Sequence, residues 1–336
     1  MLLAASFHNL TAMVMTMRLL LKYSKIIIFA MLGWLQGCSS LHVDPTAGNR
    51  VFANFDSDSR LSQYAPIIAP QQSHLEHNRI GRAMARRGDD GKEEIYIATD
   101  QATFYSREQA FVSAQGKHYR NLIYRFHFPR VPQPRLTAGN NGGLFVILTL
   151  NSQQQPVLIT TVHTCGCYLA FVPTSYLSAM TYPKNWDADR QAVYGENLPG
   201  RLDYPAQLDT EWRPVIHLRS HNHRVMDISL SRREQLQSAI EPTQLIPISA
   251  LEQLPLAGGY TSFFHQSGRL KGCAHKPWER LLMSWWTLDL HIGNDKRLGD
   301  PAETGTVFYT SLKPWAREAS NMWFFKDFLD YWGWQL

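Results

Sequence analysis

Apolar and polar residues follow a strand-like pattern over much of this chain. They alternate in NLIYRFHF, which starts at Asn121, whereas GLFVILTL, from Gly143, is apolar on both faces. The first pattern is typical of a half-buried strand, and the second of a central strand covered on both sides. EEIYIA near Ile95 and PVLITTVH from Pro156 also have strand composition, and NSQQQ at 151–155 predicts a hairpin loop.

Helical patterns are fewer. LEHNRIGRAMARRG at 75–88 and SRREQLQSAI at 231–240 are each expected to form a short helix. Apolar residues recur at spacings of three and four from Pro314 to Trp332, which predicts an amphipathic C-terminal helix. LLMSWWTLDLHIG, from Leu281, has the composition expected of a strand.

The less regular segments set the expected limits of the folded domain. Residues 38–75 are rich in polar residues and Pro, with little periodicity, which is typical of a tether. Residues 178–212 form a long irregular excursion that could cover a site. We find no repeat or linker after residue 76. We therefore predict an α+β fold, with one β-rich mixed domain over 76–336 and a C-terminal amphipathic helix.

The first 37 residues have the organisation of a targeting segment. Arg18, Lys22 and Lys25 precede a short apolar run, which ends at Leu35-Gln36-Gly37-Cys38. The apolar run is too short to span a bilayer comfortably as a helix.

The stretch Leu35–Cys38 resembles the lipobox of bacterial lipoproteins, and the resemblance extends over 17–40. It implies cleavage before Cys38 and attachment of acyl chains to that cysteine. Ser39 implies sorting to the outer membrane, facing the periplasm or the cell surface. An ordinary secretory peptide with a chance cysteine is the alternative.

Charge gives no indication of nucleic-acid binding. The full chain has 33 basic and 28 acidic residues, and three of the basic ones lie in the first 37 residues. The remaining 30 basic and 28 acidic residues nearly balance, so a polyanionic partner is not expected.

The candidate chemistry is a set of Cys and His residues on three segments. His163, Cys165 and Cys167 alternate in VHTCGC, so they share one face if the segment is extended. A second segment, HLRSHNHRVMD, would place the candidate ligands His217, His221 and His223 on one face in the same way. A third segment contains a Cys-Ala-His triplet with the candidate ligands Cys273 and His275. Imidazole and thiolate ligands suit zinc or copper.

A disulfide is the main alternative to a metal site. Three cysteines, Cys165, Cys167 and Cys273, remain after Cys38, and an oxidising compartment favours pairing of two of them. A direct Cys165–Cys167 bond requires Gly166 to bend the backbone, because alternate residues of a strand lie about 6.6 to 6.8 Å apart. A redox dithiol and inert buried thiols are further alternatives.

The sequence thus predicts a membrane-anchored envelope lipoprotein with a possible Cys/His metal site. The alternative is a non-enzymatic binding or assembly lipoprotein with a structural disulfide, whose partner is an envelope protein or a polysaccharide. Motifs typical of serine hydrolases, zinc proteases, P-loop proteins and dinucleotide-binding enzymes are absent from the chain.

Overall fold

Strands make up most of the regular structure in the described residues, which are 49–207, 209–264 and 276–336 of a computed structural model. These residues belong to one compact unit that extends from Pro45 to Leu336. The predicted β-rich single domain is therefore confirmed.

Two mixed sheets form the centre of the domain. The larger sheet contains β5 (Thr103–Val112), β6 (His118–His127), β9 (Gly143–Leu150), β10 (Pro156–His163), β11 (Ala170–Pro173) and β17 (Gln244–Pro247). Its order is β11-β10-β9-β6-β5-β17. The smaller sheet contains β1 (Arg50–Ala53), β2 (Ile67–Pro70), β14 (Arg213–Leu218), β15 (Val225–Ser231) and β16 (Ala239–Pro242). Its order is β15-β14-β2-β1-β16.

Short strand pairs and helices surround the two sheets. The pairs are β3 (Arg82–Arg87) with β4 (Glu93–Ala98), β7 (Arg130–Val131) with β8 (Gly139–Asn140), β12 (Arg190–Val193) with β13 (Glu196–Pro199), and β18 (Leu254–Leu256) with β19 (Gly259–Thr261). The α-helices are α1 (Arg60–Gln63), α2 (Pro277–Thr287), α3 (Pro301–Thr304) and α4 (Phe325–Tyr331). Single 3₁₀ turns lie at Glu76–Asn78, Ala179–Thr181, Arg233–Gln235, Ile248–Glu252 and Pro314–Ala316.

The larger sheet is covered on both faces. Leu144, Val146 and Leu148 of β9 share one apolar cluster with Ile68 and Ile216 of the smaller sheet. The alternate residues of β9 belong to a second cluster, which includes residues of the C-terminal segment, namely Phe145 and Ile147 with Phe308, Phe325, Phe328 and Trp334. Every residue of β9 is buried. The prediction that this strand is central is thus confirmed, and two-sided burial explains why it lacks polar alternation.

Several local predictions are confirmed. EEIYIA is β4, PVLITTVH is β10, and the loop at 151–155 joins the antiparallel strands β9 and β10. The strand predicted from Asn121 is part of β6 as far as His127, but residues 121–127 are all buried, so the prediction that this strand is only half-buried is wrong.

Three predicted elements are wrong. The helix expected at 75–88 is a 3₁₀ turn followed by strand β3, and the strand expected from Leu281 lies largely in helix α2. The helix expected over 231–240 is a 3₁₀ turn followed by β16.

The C-terminal helix is not continuous. Residues 314–316 form a 3₁₀ turn, Asn321 forms a β-bridge with Tyr309, and only Phe325–Tyr331 is α-helical. Met322, Phe325 and Leu329 are nevertheless buried, as the apolar pattern required. The pattern therefore identified some of the packed side chains, but Trp315 and Ala319 of the same predicted stripe are exposed, and the backbone is not one helix.

The folded part also begins earlier than the predicted boundary at 76. Strands β1 and β2 pair with each other, and β2 lies beside β14 in the smaller sheet. Val51, Phe52 and Ile68 are fully buried or nearly so. Strands β1 and β2 are therefore part of the core and not of a tether.

Candidate functional site

The candidate site lies in the turn between β10 and β11. β10 ends at His163, and the main chain then closes a tight turn in which His163 N–H donates to Cys167 O at 2.9 Å and Gly166 N–H donates to His163 O at 2.7 Å. Cys165 and Cys167 are joined by a disulfide, with their Cα atoms 5.6 Å apart. The turn makes this spacing possible, because an extended strand would hold these atoms farther apart.

Gly166 is the residue that permits the turn. Its φ is +87°, a left-handed conformation that glycine adopts without steric cost. A Cβ at this position would also overlap the carbonyl oxygen of Tyr309. Glycine at 166 is therefore required both by the backbone and by the neighbouring chain.

Two lysines lie against the Cys165 side of the disulfide. Lys276 Nζ is 3.2 Å from Cys165 Sγ and 3.9 Å from Cys167 Sγ. Lys296 Nζ donates to the carbonyl oxygen of Cys165, and Lys296 N–H donates to Thr164 O at 2.8 Å. Both lysines are buried. Burial lowers the pKa of Lys296 to about 8, although the nearby carboxylates Asp289 and Asp295 favour its charged form.

A carboxylate also lies beside the disulfide. Glu279 Oε1 is 3.7 Å from Cys167 Sγ, and Glu279 Oε2 is 3.4 Å from Lys276 Nζ. Lys276 and Glu279 are both less than one-tenth exposed as side chains. The two sulfurs therefore have different electrostatic surroundings.

His163 and His223 are neutral rings held by backbone carbonyls. His163 Nε2–H donates to His223 O at 3.1 Å, and His223 Nε2–H donates to His77 O at 2.8 Å. The His223 ring stacks on Phe128 with centroids 3.9 Å apart. Burial lowers the pKa of His163 well below its ordinary value and that of His223 to about 3. Neither ring is suited to act as a base near neutral pH while these bonds persist.

A small cavity adjoins the disulfide. It has a volume of about 20 Å³, and its lining includes His163, Cys165, His223 and Lys276. A water molecule needs about 10 to 15 Å³, so the cavity has room for one. It is too small for an organic substrate.

The structure brings together only some of the predicted ligands. His163 and His223 lie beside the disulfide, but His221 faces His77, with ring centroids 4.9 Å apart. His217 Nε2 is 2.9 Å from Ser229 Oγ of β15, in the smaller sheet. Cys273 and His275 lie outside the described residues, as does Cys38.

The predicted face of histidines on one extended strand is wrong. β14 ends at Leu218 and β15 begins at Val225, and His221 and His223 adopt positive φ values of 73° and 56° in the turn between them. A turn sends these side chains in different directions, so the period-two argument does not apply.

No group of three or more His, Cys, Asp or Glu side chains in the described ranges is arranged to hold a metal ion. The sulfurs of Cys165 and Cys167 are bonded to each other, and a disulfide does not supply thiolate ligands. Zinc or copper binding by the reduced chain stays a prediction.

Sequence reasoning did not identify Lys276, Glu279 and Lys296 as neighbours of the cysteines. They are more than 100 residues away along the chain and belong to no recognisable motif. Only the position of Lys276, next to the Cys-Ala-His triplet, connects it with the candidate segments.

Helix α2, which carries Glu279, has its apolar side chains on the outside. Trp278, Leu281, Leu282, Trp285 and Trp286 are exposed, and Trp285 has 74% of its surface in contact with solvent. The buried residues of the helix are instead Glu279 and Thr287. This arrangement is the reverse of that in an ordinary surface helix.

The exposed apolar surface continues beyond the helix. Leu288 and Leu290 are also exposed, and Arg317 donates to the carbonyl oxygen of Thr287 at 2.7 Å, which holds the 315–317 segment against the end of α2. Trp315 of that segment is 83% exposed. We call the exposed set the α2 face; it consists of Trp278, Leu281, Leu282, Trp285, Trp286, Leu288 and Leu290. Isolated exposed apolar residues are common, whereas a contiguous set marks an interaction surface.

The helices in the described part of the chain are all too short or too polar to cross a membrane. No protein-family model, curated protein or solved structure matches this chain.

Proposed function

We propose that this protein is a lipid-anchored envelope protein with a binding and assembly role, acylated at Cys38 and held at the outer membrane. The lipobox-like sequence supports the anchor. The Cys165–Cys167 disulfide is consistent with an oxidising compartment such as the periplasm.

The proposal of a binding role rests on the α2 face. Covering this face with a partner would be favourable, since fully burying one leucine side chain contributes about 1.5 to 3 kcal/mol. In α2 the polar side chains face the domain instead, where Glu279 pairs with Lys276. An outward apolar helix therefore needs a contact that the described residues do not provide.

The occupant that we propose for the α2 face is the surface of the bilayer. About 12 residues separate Cys38 from Arg50, and a fully extended chain of this length reaches about 40 Å. The anchor thus keeps the domain close to lipid at all times. Tryptophan prefers the membrane interface, and leucine the acyl region beneath it.

The composition of the α2 face favours lipid over polysaccharide. Four of its seven residues are leucines, which offer no hydrogen bonds to sugar hydroxyl groups. The protein would then have two membrane contacts, the acyl chains and the helix. A second contact orients the domain, whereas attachment at a single point does not.

Vesicle binding by the mature chain with Cys38→Ser tests the peptide contact without the lipid. We expect this chain to sediment with vesicles of phosphatidylethanolamine and phosphatidylglycerol. In Leu281→Ser/Trp285→Ser the partition coefficient should decrease tenfold or more, because the two changes remove at least about 1.4 kcal/mol of apolar burial, which corresponds to tenfold. Met180→Ser is the matched control, since Met180 is 88% exposed but lies outside the α2 face.

Two results would contradict this proposal. One is failure of the Cys38→Ser chain to bind any vesicle, and the other is equal binding by the Leu281→Ser/Trp285→Ser variant and its control. Binding of the α2 face to peptidoglycan or to one purified envelope protein, without vesicle binding, would assign that partner instead.

A further inference from the structure

The surroundings of Cys165 and Cys167 differ in both exposure and charge. Cys165 is 5% exposed and lies against Lys276, and its carbonyl oxygen accepts from Lys296. Cys167 is partly exposed and lies beside Glu279. A structural disulfide does not require this difference.

We propose that Cys165–Cys167 is a redox-active disulfide that oxidises a dithiol of a partner protein, with Cys167 as the attacked sulfur and Cys165 as the leaving thiolate held by Lys276. This activity goes beyond the proposed anchoring and binding function and does not depend on it.

Exposure decides which sulfur is attacked. An incoming thiolate must approach the disulfide along the line of the S–S bond, and it can reach only a sulfur that is open to the surface. Cys167 meets this condition in part, whereas Cys165 lies under the turn.

Charge decides which sulfur leaves. An ammonium group beside a cysteine favours the thiolate, and a thiolate of lower pKa leaves faster. Lys276 Nζ is 3.2 Å from Cys165 Sγ and thus lies where the negative charge develops. The neighbouring carboxylate of Glu279 favours the neutral thiol at Cys167.

The exchange is balanced in two steps. A substrate thiolate attacks Cys167 Sγ, the S–S bond breaks, and its electron pair remains on Cys165 as a thiolate. The second substrate thiol loses its proton and attacks the substrate sulfur of the mixed disulfide, which releases Cys167; Cys167 then takes up a proton. The substrate dithiol loses two electrons and two protons, and the protein gains two electrons and one proton. The other proton passes to solvent.

Gly166 suits this role because it permits a turn that can form in both the disulfide and the dithiol state of Cys165 and Cys167. The turn is held by main-chain hydrogen bonds between His163, Gly166 and Cys167, which do not involve sulfur. The turn can therefore survive reduction of the disulfide.

Redox titration of the full mature chain tests the inference. The protein is equilibrated with graded ratios of reduced to oxidised glutathione, its thiols are trapped by alkylation and counted by mass, and tryptophan fluorescence verifies the fold at each point. We expect reduction of Cys165–Cys167 in the folded protein. Lys276→Met should shift the dithiol/disulfide ratio toward the disulfide by about tenfold, which corresponds to one pKa unit of thiolate stabilisation.

Three variants separate charge from packing. Lys276→Arg keeps the positive charge and should retain most of the wild-type ratio, whereas Glu279→Gln should shift the ratio toward the dithiol. Lys326→Met, at an exposed lysine in α4, is the control and should leave it unchanged. The pH profile of Cys165 alkylation should move to higher pH in Lys276→Met alone.

Reduction that occurs only when the protein unfolds would overturn the proposal and leave a structural disulfide. Equal shifts in Lys276→Met and Lys276→Arg would also overturn it, because packing and not charge would then control the equilibrium. If Lys276→Met does not fold, the Glu279→Gln shift and the wild-type alkylation profile still decide the question. Neither readout uses vesicles, so failure here is distinct from failure of the α2 face to bind lipid.

Discussion

Individual side chains in this protein are often polar and buried, and His223 is a clear case. It is 2% exposed, stacks on Phe128 and donates to the carbonyl oxygen of His77. Both interactions suit a neutral imidazole. Protonation of the ring in the folded state would place a charge among His77, His221 and Lys276, each of which lowers its pKa.

This burial predicts a stability that falls with acid. The pKa of His223 is about 3 in the folded protein and about 6.5 in an unfolded chain. Its contribution to the free energy of unfolding is therefore fully present above pH 6.5 and is lost as the pH falls toward 3. Between pH 7 and pH 5 the unfolded state alone takes up the proton, and we expect the free energy of unfolding to decrease by about 2 kcal/mol for this histidine.

Urea unfolding of His223→Asn measures the effect. Asparagine tolerates the positive φ of this position and does not titrate, so the variant should lose about 2 kcal/mol less than the wild type between pH 7 and pH 5. His118→Asn, at an exposed position of β6, is the control and should follow the wild type. The expectation is wrong if both variants keep the full wild-type dependence on pH.

At the scale of elements, one buried ion pair ties the larger sheet to the segment that carries Lys296. Arg125 of β6 and Asp295 lie 2.7 Å apart, and neither side chain is exposed. Phe145, Phe263 and Phe264 surround the guanidinium group at 5.0 to 5.5 Å. Burial raises the pKa of Asp295, against the opposing effect of Arg125.

Removing one partner of this pair should destabilise the fold strongly. Arg125→Met removes the ion-pair partner of a fully buried carboxylate, and we expect a loss of about 3 to 5 kcal/mol in the free energy of unfolding. Arg125→Met/Asp295→Leu removes both charges and should cost less than the sum of the single changes.

Urea unfolding at pH 7 checks this prediction. Glu94→Gln is the control, because Glu94 and Arg86 form an exposed pair whose loss should change the unfolding midpoint little. Additive single and double changes at Arg125 and Asp295 would show that the two side chains do not stabilise each other.

The elements also show where local pattern is a reliable guide. The composition of EEIYIA and PVLITTVH predicts strands, and these segments are β4 and β10. The tryptophan- and leucine-rich segment from Leu281 has strand composition but lies largely in helix α2. The apolar residues at 278, 281, 282, 285 and 286 have helical spacing, and they face outward.

At the scale of the whole molecule, the proposed lipid anchor depends on the lipobox-like stretch and not on the folded domain. We expect the mature N-terminus to be an acylated Cys38, because the lipobox-like stretch ends there. Expression of the precursor in a Gram-negative host with labelled palmitate should give a labelled protein in the outer-membrane fraction, and the mass of its N-terminal peptide should show the acyl chains.

The matched variants for this prediction are two cysteine changes. Cys38→Ala should abolish the label and processing, whereas Cys273→Ala should retain both. Cleavage at another residue, or label that persists in Cys38→Ala, would instead support an ordinary secretory peptide.

The sequence by itself determined the central strand β9, the hairpin loop at 151–155 and the cysteine spacing that a bent Gly166 could bridge. Each of these depends on neighbouring residues along the chain, so local patterns are sufficient to predict them. The lipobox-like stretch is likewise local, and its acylation stays a prediction.

Only the tertiary structure decided which distant groups meet at the disulfide. The turn at 219–224 directs His223 toward Phe128, and Lys276 reaches Cys165 from more than 100 residues away. It also decided that the apolar side of α2 faces outward. Periodicity gives the direction of a side chain relative to its own backbone, whereas the position of one element against another depends on the packing of the whole chain.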